Sequence, residues 1–344
     1  MVRIKSISKS NQFLLIFVLC IFSFIATALL LGCNNSLSSE EDSHGTWTQI
    51  ESGVSTPLLD IAFGDDSVGW IVGENGTILK TNDKGSTWEI LSDSSMGRLY
   101  VLDFINIDIG FTIDRDRMFK TVDGGLTWTQ PSVRNLGGGY YVDIHFVNRE
   151  VGFVVGGEGE YATDGFILKT TDGGANWYRT GDESYPRLTS ISFIGEQQGW
   201  VCGSGGTILV TNDAGDTWFR SSLLITPGPN LSKIQFVDPS YGWTSSRDDY
   251  RGLYWTKNGG ETWSQITESS FSIIGGVQSS HFIDRNTGWL CNFPFDRLLR
   301  TNDSGSSWEY AAEERVRVNS IEFQGLDAGL LVGNGGVIYK YAPN

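Results

Sequence analysis

The sequence predicts an all-β fold, a seven-bladed β-propeller of four-stranded antiparallel blades, and three observations carry that expectation. The pattern Thr-x-Asp-x-Gly-x-x-Trp is written six times, beginning at Thr81, Thr121, Thr170, Thr211, Thr256 and Thr301, broken only by Asn258 in the fifth copy. Adjacent copies lie 40 to 49 residues apart, a period that belongs to solenoids, propellers and arrays. Seven short apolar runs, ending in Phe63, Phe104, Phe146, Phe193, Phe236, Phe282 and Phe323, open seven units, and no helix-period segment follows the N-terminal leader.

Each unit then reads as four strands. The run ending in Phe is the first. Six or seven residues later comes Gly plus a large apolar residue: Gly69-Trp70, Gly110-Phe111, Gly152-Phe153, Gly199-Trp200, Gly242-Trp243, Gly288-Trp289 and Gly329-Leu330. A third strand, such as Thr77-Ile78-Leu79-Lys80 or Thr207-Ile208-Leu209-Val210, leads into the Thr-x-Asp-x-Gly turn, and the Trp starts a fourth. Four strands in about 40–45 residues make a propeller blade. The seventh unit stops after its third strand at Val337-Ile338-Tyr339-Lys340-Tyr341, whereas Thr46-Trp47-Thr48-Gln49-Ile50 matches Thr87-Trp88-Glu89-Ile90. The N-terminal strand is therefore expected to complete the last blade and close the ring.

Composition fits and narrows the function. Gly is 43 of 344 residues, dense enough for many tight hairpins, and 12 Trp with 19 Phe supply the apolar area of a large core. A formal net charge of −15 argues against a nucleic-acid partner.

Ahead of the repeats stand Arg3, Lys5 and Lys9, an apolar run over residues 13–31, and Leu30-Leu31-Gly32-Cys33. A basic stretch, an apolar core and a small residue before the cut describe a secretory signal. Cys33 after Leu-Leu-Gly resembles the bacterial lipobox, in which that Cys is acylated and becomes the first mature residue; a signal anchor or transmembrane helix is the alternative. Residues 34–43 are polar and read as a flexible tether. The expected organisation is a signal over 1–32, a tether over 33–43 and one propeller over 44–344, in a lipoprotein exported to the bacterial envelope. Cys202 and Cys291 fall at the same place in different blades, too far apart to bridge, and are expected as buried free thiols.

The turn pattern is similar to the Asp-box (BNR) repeat, which joins the third and fourth strands of a blade. The residues concerned are Asp83, Asp123, Asp172, Asp213, Asn258 and Asp303, with Trp88, Trp128, Trp177, Trp218, Trp263 and Trp308. Their chemistry is structural: a short carboxylate accepts N–H groups of its own turn, and Gly takes the positive φ. Together with Gly-Trp and Gly-x-x-Gly-Thr-Ile, these units make the mature chain resemble the photosystem II assembly and stability factor propellers. That resemblance implies a non-enzymatic assembly factor that uses an arginine-rich patch, and no cofactor.

Catalytic and metal constellations are missing from the pattern. Asp114-Arg115-Asp116 lacks the other ligands of a Ca²⁺ loop, Gly157-Glu158-Gly159 opens no helix, and only 3 His are present. Asp boxes also occur in sialidases and some endoglucanases, so a carbohydrate-binding or glycoside-hydrolysing propeller is a competing expectation, and a structural surface protein is another. The alternation of the first strands places Ala62, Asp103, His145, Ser192, Gln235, His281 and Glu322 in one column toward the ring axis, and Asp60, Val101, Asp143, Ser190, Lys233, Ser279 and Ser320 in the next. Both columns suit a water-filled channel. Arg98, Arg187 and Arg317 fall in fourth-to-first strand connections, and Arg115, Arg117, Arg247, Arg251 and Arg297 in second-to-third strand loops, all on the top face opposite the Asp boxes. Planar guanidinium groups suit the carboxylates of an acidic partner segment, although Glu74, Asp114, Asp116, Asp248, Asp249 and Asp296 on the same loops could pair them locally. The loop over residues 157–165, with Tyr161, is a second candidate contact. The expected protein is monomeric, with a protein or peptide partner, a glycan as the alternative ligand, and membrane contact through the anchor alone.

Overall fold

The computed structural model describes residues 45–131, 140–157, 164–222, 228–246, 252–266, 276–312, 315, 317–325 and 328–343. The leader, Cys33 and the tether lie outside them, as do Arg247, Arg251 and most of the loop carrying Tyr161. The unit Thr46–Pro343 is a ring of seven antiparallel sheets. Blades 1 to 7 begin with the strands Leu58–Phe63, Val101–Phe104, Tyr140–Phe146, Leu188–Ile194, Leu231–Phe236, Gly276–Phe282 and Val318–Phe323. Six sheets have four strands; blade 2 has three, with its fourth-strand position marked by a bridge between Lys120 and Thr129. Every first strand touches the first strands on both sides, blade 7 meeting blade 1. The closure is as the sequence predicts: Thr46–Ile50 pairs with Ile338–Ala342, Thr46 opposite Ala342 and Ile50 opposite Ile338.

The Phe that ends each first strand explains the repeat. One face of Phe104 is covered by Trp70 of the preceding blade, with centroids 3.5 Å apart and planes 2° from parallel. Its edge meets Trp128 of its own Asp box at 86°. The same sandwich recurs in Trp200–Phe236–Trp263 and Trp243–Phe282–Trp308. In blade 7, Trp289 stacks on Phe323 and Trp47 meets it edge-on at 88°. Trp47 thus does from the far end of the chain what the six Asp-box tryptophans do in sequence. At the joint of blades 7 and 1 the stacking aromatic is replaced by Leu330, which packs with Phe63 and Trp88 in an aliphatic cluster. Gly before each stacking residue is forced by the Phe: a Cβ on Gly110 would lie 2.5 Å from the Phe104 ring, and on Gly69 2.7 Å from Phe63. Trp70, Trp200 and Trp289 are fully buried, and such aromatic surfaces dominate core energetics.

The polar columns toward the axis do more than wet a channel. First strands are inner edges, so alternate N–H groups have no ladder partner and need another acceptor. Side chains of the preceding blade supply it. Asp60 accepts from Leu102 N at 3.0 Å, Asp103 from Phe146 N at 2.5 Å and Asp143 from Ile191 N at 3.0 Å. Ser192 accepts from Phe236 N at 3.2 Å, and Gln235 accepts from Phe282 N at 2.8 Å while donating to its carbonyl at 2.9 Å. Ser320 of blade 7 donates to Asp60 of blade 1 at 2.8 Å. The sequence reading of these columns as pore solvation is corrected to that extent: Asp60, Asp103, Asp143, Ser192, Gln235 and Ser320 are staples from blade to blade.

Candidate functional site

The two faces of the ring are built differently. On the Asp-box face each box Asp or Asn spends its acceptors within its own turn, while turn carbonyls such as those of Gly124 and Gly173 accept from a lysine of the preceding blade. Asp83 accepts from the Thr87 N–H at 2.8 Å, the Thr87 hydroxyl at 2.7 Å and the Thr81 hydroxyl at 2.8 Å, while Thr81 Oγ1 accepts from Gly85 N at 2.9 Å. Burial pushes the Asp83 carboxyl up, but the Thr87 and Thr81 hydrogen bonds outweigh it and hold the group at about 2. In Asp123, Asp172 and Asp213 the leading cause is the side-chain hydrogen bond from Thr127, Asn176 and Thr217, and each carboxyl is lowered. Burial raises Asp303 first, and bonds from Ser307 reverse it to a net lowering. Asn258 keeps the acceptor role, taking the Thr262 N–H at 3.0 Å and the Thr256 hydroxyl at 2.9 Å, and its amide donates to Thr262 Oγ1 at 2.9 Å. A neutral amide serves because the turn needs an acceptor, not a charge.

The top face does not repeat. Arg98 Nη1 lies 3.1 Å from Glu74 of blade 1, and its guanidinium sits 5.0 Å from the Tyr100 ring. Arg115 sits 4.3 Å from the Tyr140 ring, and its carbonyl accepts from Tyr141 N at 2.9 Å. A cavity of about 150 Å³ lies between Arg115 and Arg187, walled by Tyr100, Tyr140, Tyr141 and Val142. Blades 2 and 3 and the connection into blade 4 thus meet there. The Arg187 Nε is buried without a hydrogen-bond partner among the described residues. Burial, reinforced by Asp116, raises the Tyr141 phenol and keeps it protonated.

The other arginines are spread out. Arg117 turns inward, with Nε 3.1 Å from Asp114 Oδ2 and Nη2 donating to the Met96 carbonyl at 2.8 Å. Arg317 Nε lies 3.1 Å from Asp296, and Arg297 sits 5.2 Å from the Tyr310 ring, in blades 6 and 7. The structure therefore groups Arg98, Arg115 and Arg187, directs Arg117 to local partners, and leaves Arg297 and Arg317 at a separate place. The tyrosines were missed in the sequence. Their signal was available: Tyr100, Tyr140 and Tyr141 stand at or just before the start of two successive first strands.

The channel holds a second polar group. Asp143 raises Lys233 above the ordinary range against the effect of burial, with Asp60 and Glu322 adding to it. Burial raises Asp60 to about 6, opposed by Lys233, the Leu102 N–H and Ser320. His281 Nδ1 is 3.4 Å from Glu322. Among the described residues no group of three or more His, Cys, Asp or Glu is arranged to hold a metal ion. Cys202 and Cys291 are buried thiols outside any disulfide, both pushed up to about 12 by burial.

Comparison with known proteins follows this architecture. A relative from Nostoc sp. (strain PCC 7120), named photosystem II assembly lipoprotein Ycf48, is 24% identical over 361 residues, covering 100% of this chain and 96% of its own length. A solved structure described as YCF48 bound to D1 peptide superposes with a TM-score of 0.70 at 20% identity, covering 90% of this chain and 100% of that one. Virginiamycin B lyase from Staphylococcus aureus shares the fold, at a TM-score of 0.67 and 14% identity over 86% of this chain and 99% of that one. The family model described as photosynthesis system II assembly factor YCF48 matches residues 39–135 and 135–281. That match covers more than half of the sequence, and the chain belongs to the YCF48 family.

Proposed function

We propose that this protein is a non-enzymatic, lipid-anchored assembly factor that binds a protein or peptide segment on its top face, with Arg98, Arg115 and Arg187 as the binding cations. The observation that carries the reading is a cavity lined by Arg115 and Arg187 with Tyr100, Tyr140 and Tyr141, and Arg98 beside it at 5.0 Å from the Tyr100 ring. Tyr and Arg are the residues from which binding hot spots are built, and guanidinium groups take carboxylates in bidentate pairs. The remaining candidates contribute less: Arg117 is already engaged by Asp114 and Met96, and Arg297 and Arg317 flank the exposed Phe293 and Phe295 as a second contact. Arg247 and Arg251 lie outside the described residues. The D1 peptide named with the related YCF48 structure supports a peptide as the class of ligand.

Acylation of Cys33 would hold the propeller on a membrane of the bacterial envelope, and relatives named lipoproteins support that anchor. A glycan-cleaving role has no comparable support, because likeness to propeller enzymes at this identity speaks for the fold only. Capture of partners by crosslinking with the lipidated chain tests the proposal. Arg98, Arg115 and Arg187 changed together to Glu should abolish capture, whereas Arg149→Glu on the Asp-box face should leave it intact. Equal capture by both variants removes the top face from the binding role.

A further inference from the structure

The Asp-box face has an exception to its own rule. In blade 2 the two variable outward positions of the box are Val122 and Leu126, which are 65% and 67% exposed. The equivalent pairs elsewhere are Asn82 and Ser86, Thr171 and Ala175, Asn212 and Asp216, Lys257 and Glu261, and Asn302 and Ser306. Val122 and Leu126 do nothing for their turn, whose hydrogen bonds are made by Thr121, Asp123, Gly125 and Thr127. Ile107, 42% exposed, stands on the adjoining turn, where the Asp108 carbonyl accepts from Gly124 N at 2.8 Å. Three large aliphatic side chains therefore project together from one face, without a use inside the blade.

The chain itself indicates what covers them. Third strands run toward the Asp-box face, so Ala342 ends there and Thr46, paired with it, begins there. Whatever precedes Thr46 leaves the propeller on the same side as Ile107, Val122 and Leu126. Residues 34–45 separate Cys33 from that strand and reach at most about 40 Å when extended. An anchor on Cys33 keeps this face within reach of the lipid surface.

We propose that Ile107, Val122 and Leu126 form a second membrane contact, which lays the Asp-box face on the bilayer that holds the anchor and turns the arginine-bearing face away from it. The proposal rests on the anchor reading of Cys33. Its effect is orientation: the acyl chains supply most of the attachment, and burying three aliphatic side chains selects one pose. Asp65, Asp66 and Asp108 lie on first-to-second strand turns of the same face, so uncharged headgroups suit the contact better than anionic ones.

The test uses the lipidated chain on phosphatidylcholine vesicles, with a polarity-sensitive fluorophore placed on Leu126→Cys or, on the top face, on Phe295→Cys. Cys202 and Cys291 do not compete for the label, being 0% and 1% exposed. Doxyl-labelled phosphatidylcholine should quench the probe at 126 and leave the probe at 295 unchanged. Val122→Asp should remove quenching of a probe on Ile107→Cys while the chain still floats with vesicles, and added phosphatidylglycerol should weaken quenching at 126. A chain that floats with both probes quenched alike, or with 295 quenched more, overturns the orientation alone. A chain that does not float with vesicles overturns the anchor and this proposal with it.

Discussion

The Asp-box face and the top face are made by the same seven repeats, yet one is chemically closed and the other open. Each Asp-box carboxylate or amide spends its acceptors within its own turn, and each box Trp lies edge-on to, or packs in a cluster with, its blade's Phe. On the top face the loops diverge blade by blade, and their charged groups meet neighbours from other blades or line a cavity, as Arg98 with Glu74 and Arg115 with Tyr140 do. The difference teaches where selection for folding ends. A position that must be the same in every blade serves the ring, and a position free to differ is where a partner can be read.

Variants can break that comparison, beginning with the core that both faces share. Trp70→Ala removes a fully buried ring stacked on Phe104 and should lower the unfolding free energy by about 3–5 kcal/mol, measured by denaturant titration. A loss as small as that of a surface change would mean that the stacks are not what holds the blades together. Asp123→Ala strips the acceptor from one Asp box and should cost about 1–2 kcal/mol, whereas Asn258→Asp should be nearly neutral. If both changes behave alike, the boxes are not fasteners.

The pH dependence sharpens the contrast between channel and turns. Asp60 is raised to about 6, so its contribution is present below the ordinary carboxylate range and is lost as pH climbs through 6. Asp83, held at about 2, does the opposite: its contribution is present above the ordinary range and fades as pH falls toward 2. Asp60→Asn should therefore flatten the decline in melting temperature between roughly pH 4 and 6 and leave the acid limb unchanged. An unaltered slope would assign the decline to other groups.

The smallest effect on folding is expected at the proposed binding site. Changing the exposed Arg98 and Arg115 to Glu should move stability by about 0.5 kcal/mol or less per site, as surface substitutions do, while partner capture is weakened. A large destabilisation would make these arginines part of the fold and remove the distinction between the faces.

Much of the fold was legible because the repeat is periodic and its physical demands are local. Gly followed by a large apolar residue, and Thr-x-Asp-x-Gly-x-x-Trp, are short patterns whose reasons lie within one blade, so Trp47 could be paired with the last unit by likeness to Trp88. The candidate site was legible only in part. Counting from Phe104, Phe193 and Phe323 placed Arg98, Arg187 and Arg317 at equivalent positions, yet one lines a cavity of tyrosines and another reaches Asp296. The polar columns illustrate the same limit. Asp103 and Gln235 look like channel residues in a strand pattern, and their role as staples depends on an N–H of the next blade.

By itself, then, the sequence determined the number of blades, the strand order within each, the N-terminal closure and the turn chemistry, because all of these arise from contacts within one repeat or from the count of repeats. Only the tertiary structure decided which arginines meet, which carboxylates stitch the ring, and that Ile107, Val122 and Leu126 share the face from which the N-terminal chain departs. Those outcomes join residues from different blades or from both ends of a blade, and distances across a closed ring are not written in any linear period.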